Sequence, residues 1–136
     1  MKDEAYRTLQ AEIQRILSEA VKPINIETVQ TQIEKTYSYT QNLLQKLFDL
    51  QCRKDEAEVN FRRYRFDLIS TSNEIHEGEM LEGYLILDEK YSKLKNRVQK
   101  IKHLIDQVDR SLKTIEDQRY FHNKFIDIHK YVTEVS

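Results

Sequence analysis

Two clusters of side chains in this sequence stand out for what they could hold. Arg53 and Lys54, followed by Asn60, Phe61, Arg62, Arg63, Tyr64, Arg65 and Phe66, set cations beside aromatic rings. Guanidinium groups fork onto phosphate oxygens and ring faces stack on unpaired bases, so this pairing is the chemistry of single-stranded nucleic acid. The second cluster, residues 90–103, carries six cations and no carboxylate. Lys90, Lys93, Arg97 and Lys100 follow one another at steps of three, four and three and form one stripe on a helix, with Lys95 and Lys102 a heptad apart on another flank. Such a stripe matches the regular charges of a polyanion and binds it by releasing counterions.

A plainer reading competes with the second cluster. Residues 71–89 carry Glu74, Glu77, Glu79, Glu82, Asp88 and Glu89 and no cation, and a neighbouring subunit could offer these carboxylates to the lysines. Much of the stripe also borders an apolar seam where subunits would meet. Arg62, Arg63 and Arg65, beside Phe66, are therefore the first choice for direct contact with nucleic acid, with Tyr64, Arg53 and Lys54 supporting them; Phe61 and Tyr64 belong to an apolar seam and read first as core, whereas Phe66 falls off it. The stripe of Lys93, Arg97 and Lys100 comes second, with Lys93 and Lys100 as its most outward members. An anionic membrane surface fits less well, because no bulky apolar wedge lies opposite the lysines.

Other chemistry finds little support. His122 and His129 lie seven apart on an apolar seam without a carboxylate or cysteine at ligand spacing, which reads as packing and not as a metal site. Cys52 and His76 make no evident nucleophile and base, and the carboxylates are spread over helix faces without a catalytic pair. The sequence therefore predicts no enzyme, no cofactor and no metal. With one cysteine, it excludes an internal disulfide, which suits a reducing cytoplasm. No apolar run approaches the roughly 18 residues of a membrane span, so a soluble protein is expected.

The elements that must position these residues are helical. The chain has 136 residues but only two glycines and one proline, and a third of its residues are charged while 39% are hydrophobic. That balance belongs to long helices with thin apolar seams, not to a sheet. The spacing predicts an all-α single domain of a short N-terminal helix over 1–23 and a long helical hairpin, with heptad seams in a second helix over 25–69 and a third over 84–132. An acidic turn region over 70–83 joins the two long helices. Asn25 is the expected cap of the second helix, and Thr71 with Glu74 has capping-box spacing. On the second seam Thr36, Thr40 and Lys54 are polar interruptions that restrict register. Extended helices expose much surface per residue, so a homo-oligomer is expected. The apolar C-terminal residues Leu112, Ile115, Tyr120, Phe121, Phe125 and Ile126 are its expected interface; Tyr131 adds to the aromatic character of that end.

The order of features resembles the UvsY-like recombination mediators of T-even-type phages. The likeness spans roughly residues 40 to 130. It rests on Val59-Asn60-Phe61-Arg62-Arg63-Tyr64-Arg65-Phe66, then on Glu79-Met80-Leu81-Glu82-Gly83-Tyr84-Leu85 followed by Leu87-Asp88-Glu89-Lys90, and finally on Leu112-Lys113-Thr114-Ile115, Arg119 and Phe125-Ile126. The resemblance implies an all-helical, ring-like homo-oligomer that binds single-stranded DNA and helps a RecA-like recombinase displace single-strand binding protein. The family's basic-aromatic segment would fall on Arg62, Arg63, Tyr64 and Phe66, with Arg63 matching its arginine. This chain departs where relatives have a small-residue turn, usually with glycine: here it reads Asp67-Leu68-Ile69-Ser70. Its net charge of -1 departs as well. The alternative is a structural or adaptor coiled coil that binds no nucleic acid.

Overall fold

The computed structural model describes residues 3–20, 29–71 and 78–135. Among them the chain is all-α, with four helices and no strand: α1 (Asp3–Ala20), α2 (Val29–Thr71), α3 (Glu79–Ile86) and α4 (Glu89–Val135). The expected Asn25 cap and the Glu74 half of the capping box lie outside the described residues. The described residues form two compact units: Asp49–Ile105, and those before Asp49 together with those after Ile105. Helices α2 and α4 contribute a segment to each.

The second of these units is built from α1, the first half of α2 and the second half of α4. Ile13 and Ile16 from α1, Thr36 and Leu43 from α2, and Val108, Ser111, Ile115 and His122 from α4 are buried in it. Helix α1 runs antiparallel to α2, since Glu12 meets Lys46 at 2.9 Å while Glu19 accepts from the Tyr39 hydroxyl at 2.9 Å. The Thr36 hydroxyl, which would be costly to bury alone, donates to the Gln32 carbonyl one turn back at 2.6 Å. A polar position of the seam is thus accommodated without a partner from another chain.

The Asp49–Ile105 unit combines the second half of α2, all of α3 and the first half of α4. Its core is Leu50, Ala57, Leu85, Tyr91, Val98, Ile101 and Leu104. The segments of α2 and α4 run antiparallel here, as Glu58 lies at Lys102 and Tyr64 at Asp88. The rings of Phe61 and Tyr91 pack with centroids 5.1 Å apart.

The region expected as a turn over 70–83 is corrected at both ends: α2 continues through Thr71, α3 begins at Glu79, and the predicted start of the third helix at 84 falls inside α3. Gly78 opens α3 at φ 59°, where a side chain would be strained, and the Glu82 amide donates back to its carbonyl. The real boundary is at Leu87 and Asp88. The Asp88 carboxylate accepts from the Tyr91 amide at 2.9 Å and so caps α4, while the Ser92 hydroxyl takes the Ile86 carbonyl at 2.8 Å.

Candidate nucleic-acid interface

Helix α2 turns about 100° per residue, so the adjacent arginines of its basic segment point in different directions. Ala57, Phe61 and Tyr64 face the core of this unit. Arg53, Asn60, Arg63 and Asp67 then fall on one flank, and Glu58, Arg62 and Arg65 fall toward the other.

On the first flank α2 and α4 leave a line of shallow grooves. Arg53, Glu56, Ala57, Asn60, Arg97 and Ile101 line one, of about 160 Å³. The next, of about 330 Å³, is lined by Asn60, Arg63, Tyr64, Asp67, Lys90 and Leu94, so that Asn60 belongs to both. Lys90 then shares a third hollow with Asp88, Glu89 and Lys93. Arg53, Arg63 and Arg97 are exposed along this line. The antiparallel pairing of α2 with α4 thus brings into one track cations that lie up to 44 positions apart in the sequence. An amide at Asn60, which can both donate and accept, sits in its middle.

The opposite flank is different, because its lysines, Lys95 and Lys102, are already engaged. Lys95 Nζ lies 2.7 Å from Glu82 Oε1, and the buried Tyr91 donates its hydroxyl to the same carboxylate at 3.0 Å. The Lys95 ammonium and the Tyr91 hydroxyl together hold the Glu82 carboxyl below the usual carboxylate range against a smaller opposing effect of burial. Lys95 is pushed up in return, chiefly by its bond to Glu82. The Tyr91 phenol is raised by burial and then by Glu82, with nearby Arg65 pulling it the other way. Glu58 lies 3.4 Å from Lys102 and, more loosely, 3.8 Å from Arg62. Of the carboxylates that the sequence offered to a neighbouring subunit, Glu82, and Glu89 with Lys93 (3.0 Å), are met within the same chain, while Glu74 and Glu77 lie outside the described residues.

The predicted residues are thus sorted and not gathered. Arg53, Arg63, Arg97 and one edge of Tyr64 share the groove line, with Lys93 at its end. Arg62 and Arg65 do not join them, because they are on the other flank. Phe66 is 71% exposed and faces away from the core. Lys54 is half-buried, and Lys100, expected to point outward, is half-buried too. Tyr64 is not an open stacking platform: its hydroxyl donates to Asp88 at 2.8 Å and Lys90 Nζ sits 4.9 Å from its ring centre. Asn60 and Lys90 carry more of the track than the sequence reading gave them. The signal available for Asn60 was its spacing from Arg53 and Arg63 along α2; for Lys90 it was its spacing from Lys93 and Arg97 along α4.

The expected oligomer surface is also divided. Ile115 is fully buried inside its own unit, and Leu112, Phe125 and Ile126 are half-buried. Ile115 has nothing left to offer a partner. Tyr120 and Phe121 remain exposed, packed edge to face at 5.9 Å, with Lys124 over the Tyr120 ring. His122 is buried beside Gln118, and burial lowers its pKa; His129 is exposed. Among the described residues no three His, Cys, Asp or Glu side chains are grouped to hold a metal ion, and no helix is long and apolar enough to cross a membrane. No protein-family model, curated protein or solved structure matches the chain.

Proposed function

We propose that this chain is a single-stranded DNA-binding recombination mediator, which helps load a RecA-like recombinase onto DNA coated by single-strand binding protein. One observation carries the binding half of this reading: Arg53, Arg97 and Arg63 line adjoining grooves around Asn60. Guanidinium groups in a row hold phosphates, and the grooves are too shallow to enclose a small molecule, which suits a strand lying along the surface. The mediator half is supported by the UvsY-like order of motifs. In this reading the protein acts by binding and has no catalytic residues; several copies, each with a modest site, hold one strand more tightly than any single site. Protein partners are a RecA-like recombinase, single-strand binding protein and further copies of the chain, acting in the cytoplasm. Titration of a fluorescent oligonucleotide at several salt concentrations tests the reading. Four phosphates neutralised per subunit give a log–log slope of about -3. Absence of binding at low salt removes it.

A second reading, an adaptor or structural protein without nucleic-acid binding, is favoured by a separate feature. The end of α4 exposes Phe121, Ile128, Tyr131 and Val132, more apolar surface than one helix end ordinarily leaves uncovered.

A further inference from the structure

Within the Asp49–Ile105 unit, α2 has a second stripe opposite the one that builds the core. Cys52, Asp55, Val59, Arg62, Phe66 and Ile69 follow at steps of three, four, three, four and three. They face outward, two positions on from the inward Leu50, Ala57 and Tyr64. All six are exposed: Val59 by 49% and Phe66 by 71% of their surface. At 1.5 Å per residue the stripe runs for about 27 Å.

Apolar residues at this spacing offer a second helix a seam to lie along, and the charges on the stripe say which way it runs. Asp55 stands four residues before Val59 and Arg62 three after it. A parallel copy would set Asp55 against Asp55 and Arg62 against Arg62. An antiparallel copy, related by a two-fold axis close to Val59, sets each against its opposite, and one surface then serves both partners. The cis contact competing for Arg62 is weak, a 3.8 Å approach to Glu58 with the arginine 76% exposed.

From this we infer that two copies of the chain pair antiparallel through the outward stripe of α2, centred near Val59. The inference rests on the reading that the chain self-associates, but not on its binding DNA. It names a surface different from the C-terminal residues expected from the sequence, and it leaves the track of Arg53, Asn60 and Arg97 on another flank of α2.

Cysteine chemistry tests the arrangement on the full chain. In the pairing inferred, the two copies of Cys52 lie about 21 Å apart, twice seven residues of rise, far beyond the roughly 7 Å that a disulfide spans. Val59→Cys in a Cys52→Ser background is expected to give a disulfide-linked dimer on mild oxidation, while the unaltered chain does not link through Cys52. Asp55→Arg alone is expected to weaken the dimer in light scattering by tenfold or more, and Asp55→Arg with Arg62→Asp to restore it. Linking through Cys52 itself overturns the antiparallel arrangement. A dimer that persists without linking through Val59→Cys overturns this surface but leaves self-association standing, whereas the mass of one chain at every concentration removes both. Loss of oligonucleotide binding with the dimer intact bears on the nucleic-acid reading alone.

Discussion

The Tyr64 hydroxyl donates to Asp88 Oδ1 at 2.8 Å, joining the basic-aromatic segment of α2 to the cap of α4. Asp88 is held ionised by the Tyr91 amide first and the Tyr64 hydroxyl second. The Tyr64 phenol, raised chiefly by that same bond, stays neutral through the physiological range. One side chain thus fixes where α4 starts and where α2 lies against it, and so sets the spacing of the groove cations. Tyr64→Phe and Asp88→Ala are each expected to lower the thermal midpoint, Asp88→Ala more because it removes two hydrogen bonds. Asp88→Ala should also weaken oligonucleotide binding several-fold without touching a phosphate-binding residue. Equal affinity in a folded Asp88→Ala protein would contradict that link.

The sorting of the arginines makes a second prediction. Arg63→Ala and Arg97→Ala should each reduce affinity for an oligonucleotide by about tenfold, in keeping with loss of one charge-assisted contact of about 1.5 kcal/mol. Arg62→Ala, on the opposite flank, should change it by less than about threefold. Fluorescence anisotropy at one low salt concentration compares the three. A larger effect at Arg62 than at Arg63 would place the strand on the wrong side of α2.

Gly78, which opens α3, and Gly83, inside it, should respond in opposite ways. Gly83 is inside the helix with nothing within 4 Å of where a Cβ would stand, so Gly83→Ala is expected to stabilise by about 0.5–1 kcal/mol. Gly78 has equal space but a φ of 59°, so Gly78→Ala should destabilise by about 1–3 kcal/mol through backbone strain. Urea unfolding of both variants measures the difference. A gain at both positions would mean that Gly78 does not hold the conformation that opens α3.

Acid should act first on His122. Its pKa is lowered by burial, so the folded state favours the neutral ring, whose Nδ1 finds no partner. The stability this contributes is fully present above the unfolded value near 6.5 and falls as the pH drops below it. The lowered carboxyls of Glu82 and Asp88 lose their contribution in the same direction but at lower pH, beneath the unfolded carboxylate values. Thermal midpoints between pH 7.5 and 5 should therefore decline in the natural chain, and His122→Leu should flatten that decline. An unchanged slope in His122→Leu would assign the acid sensitivity elsewhere.

Much of the fold was legible because long helices repeat one pattern many times. Leu43, Leu50 and Ala57, and Val108 and Ile115, recur at sevens in the sequence and are buried in the structure. Helix α3 was missed because it is eight residues long, contains Gly83 and follows an acidic stretch, so local composition resembles a turn. Its helicity depends on contacts distant in the sequence: Leu85 in the core and Glu82 on Lys95. The candidate site was legible in kind but not in detail. Phe66 was expected off the seam and is exposed, but grouping Arg62, Arg63 and Arg65 by adjacency overlooked the 100° turn between neighbours. The seam places Tyr64 inward, but nothing in its neighbourhood in the sequence shows Asp88 and Lys90 arriving at it from α4. Burial of Ile115 likewise required knowing that the two helices close on it within one chain.

Binding of a fluorescent single-stranded oligonucleotide by the natural chain and by a variant with Arg53→Glu, Arg63→Glu and Arg97→Glu, each titrated over a range of salt, tests the central claim most directly. The natural chain should bind at low salt with a log–log slope of about -3 per subunit, and the variant, still helical by circular dichroism, should lose at least a hundredfold in affinity with a shallower slope. Equal affinity and slope in the two proteins, or no binding by the natural chain at low salt, would contradict it.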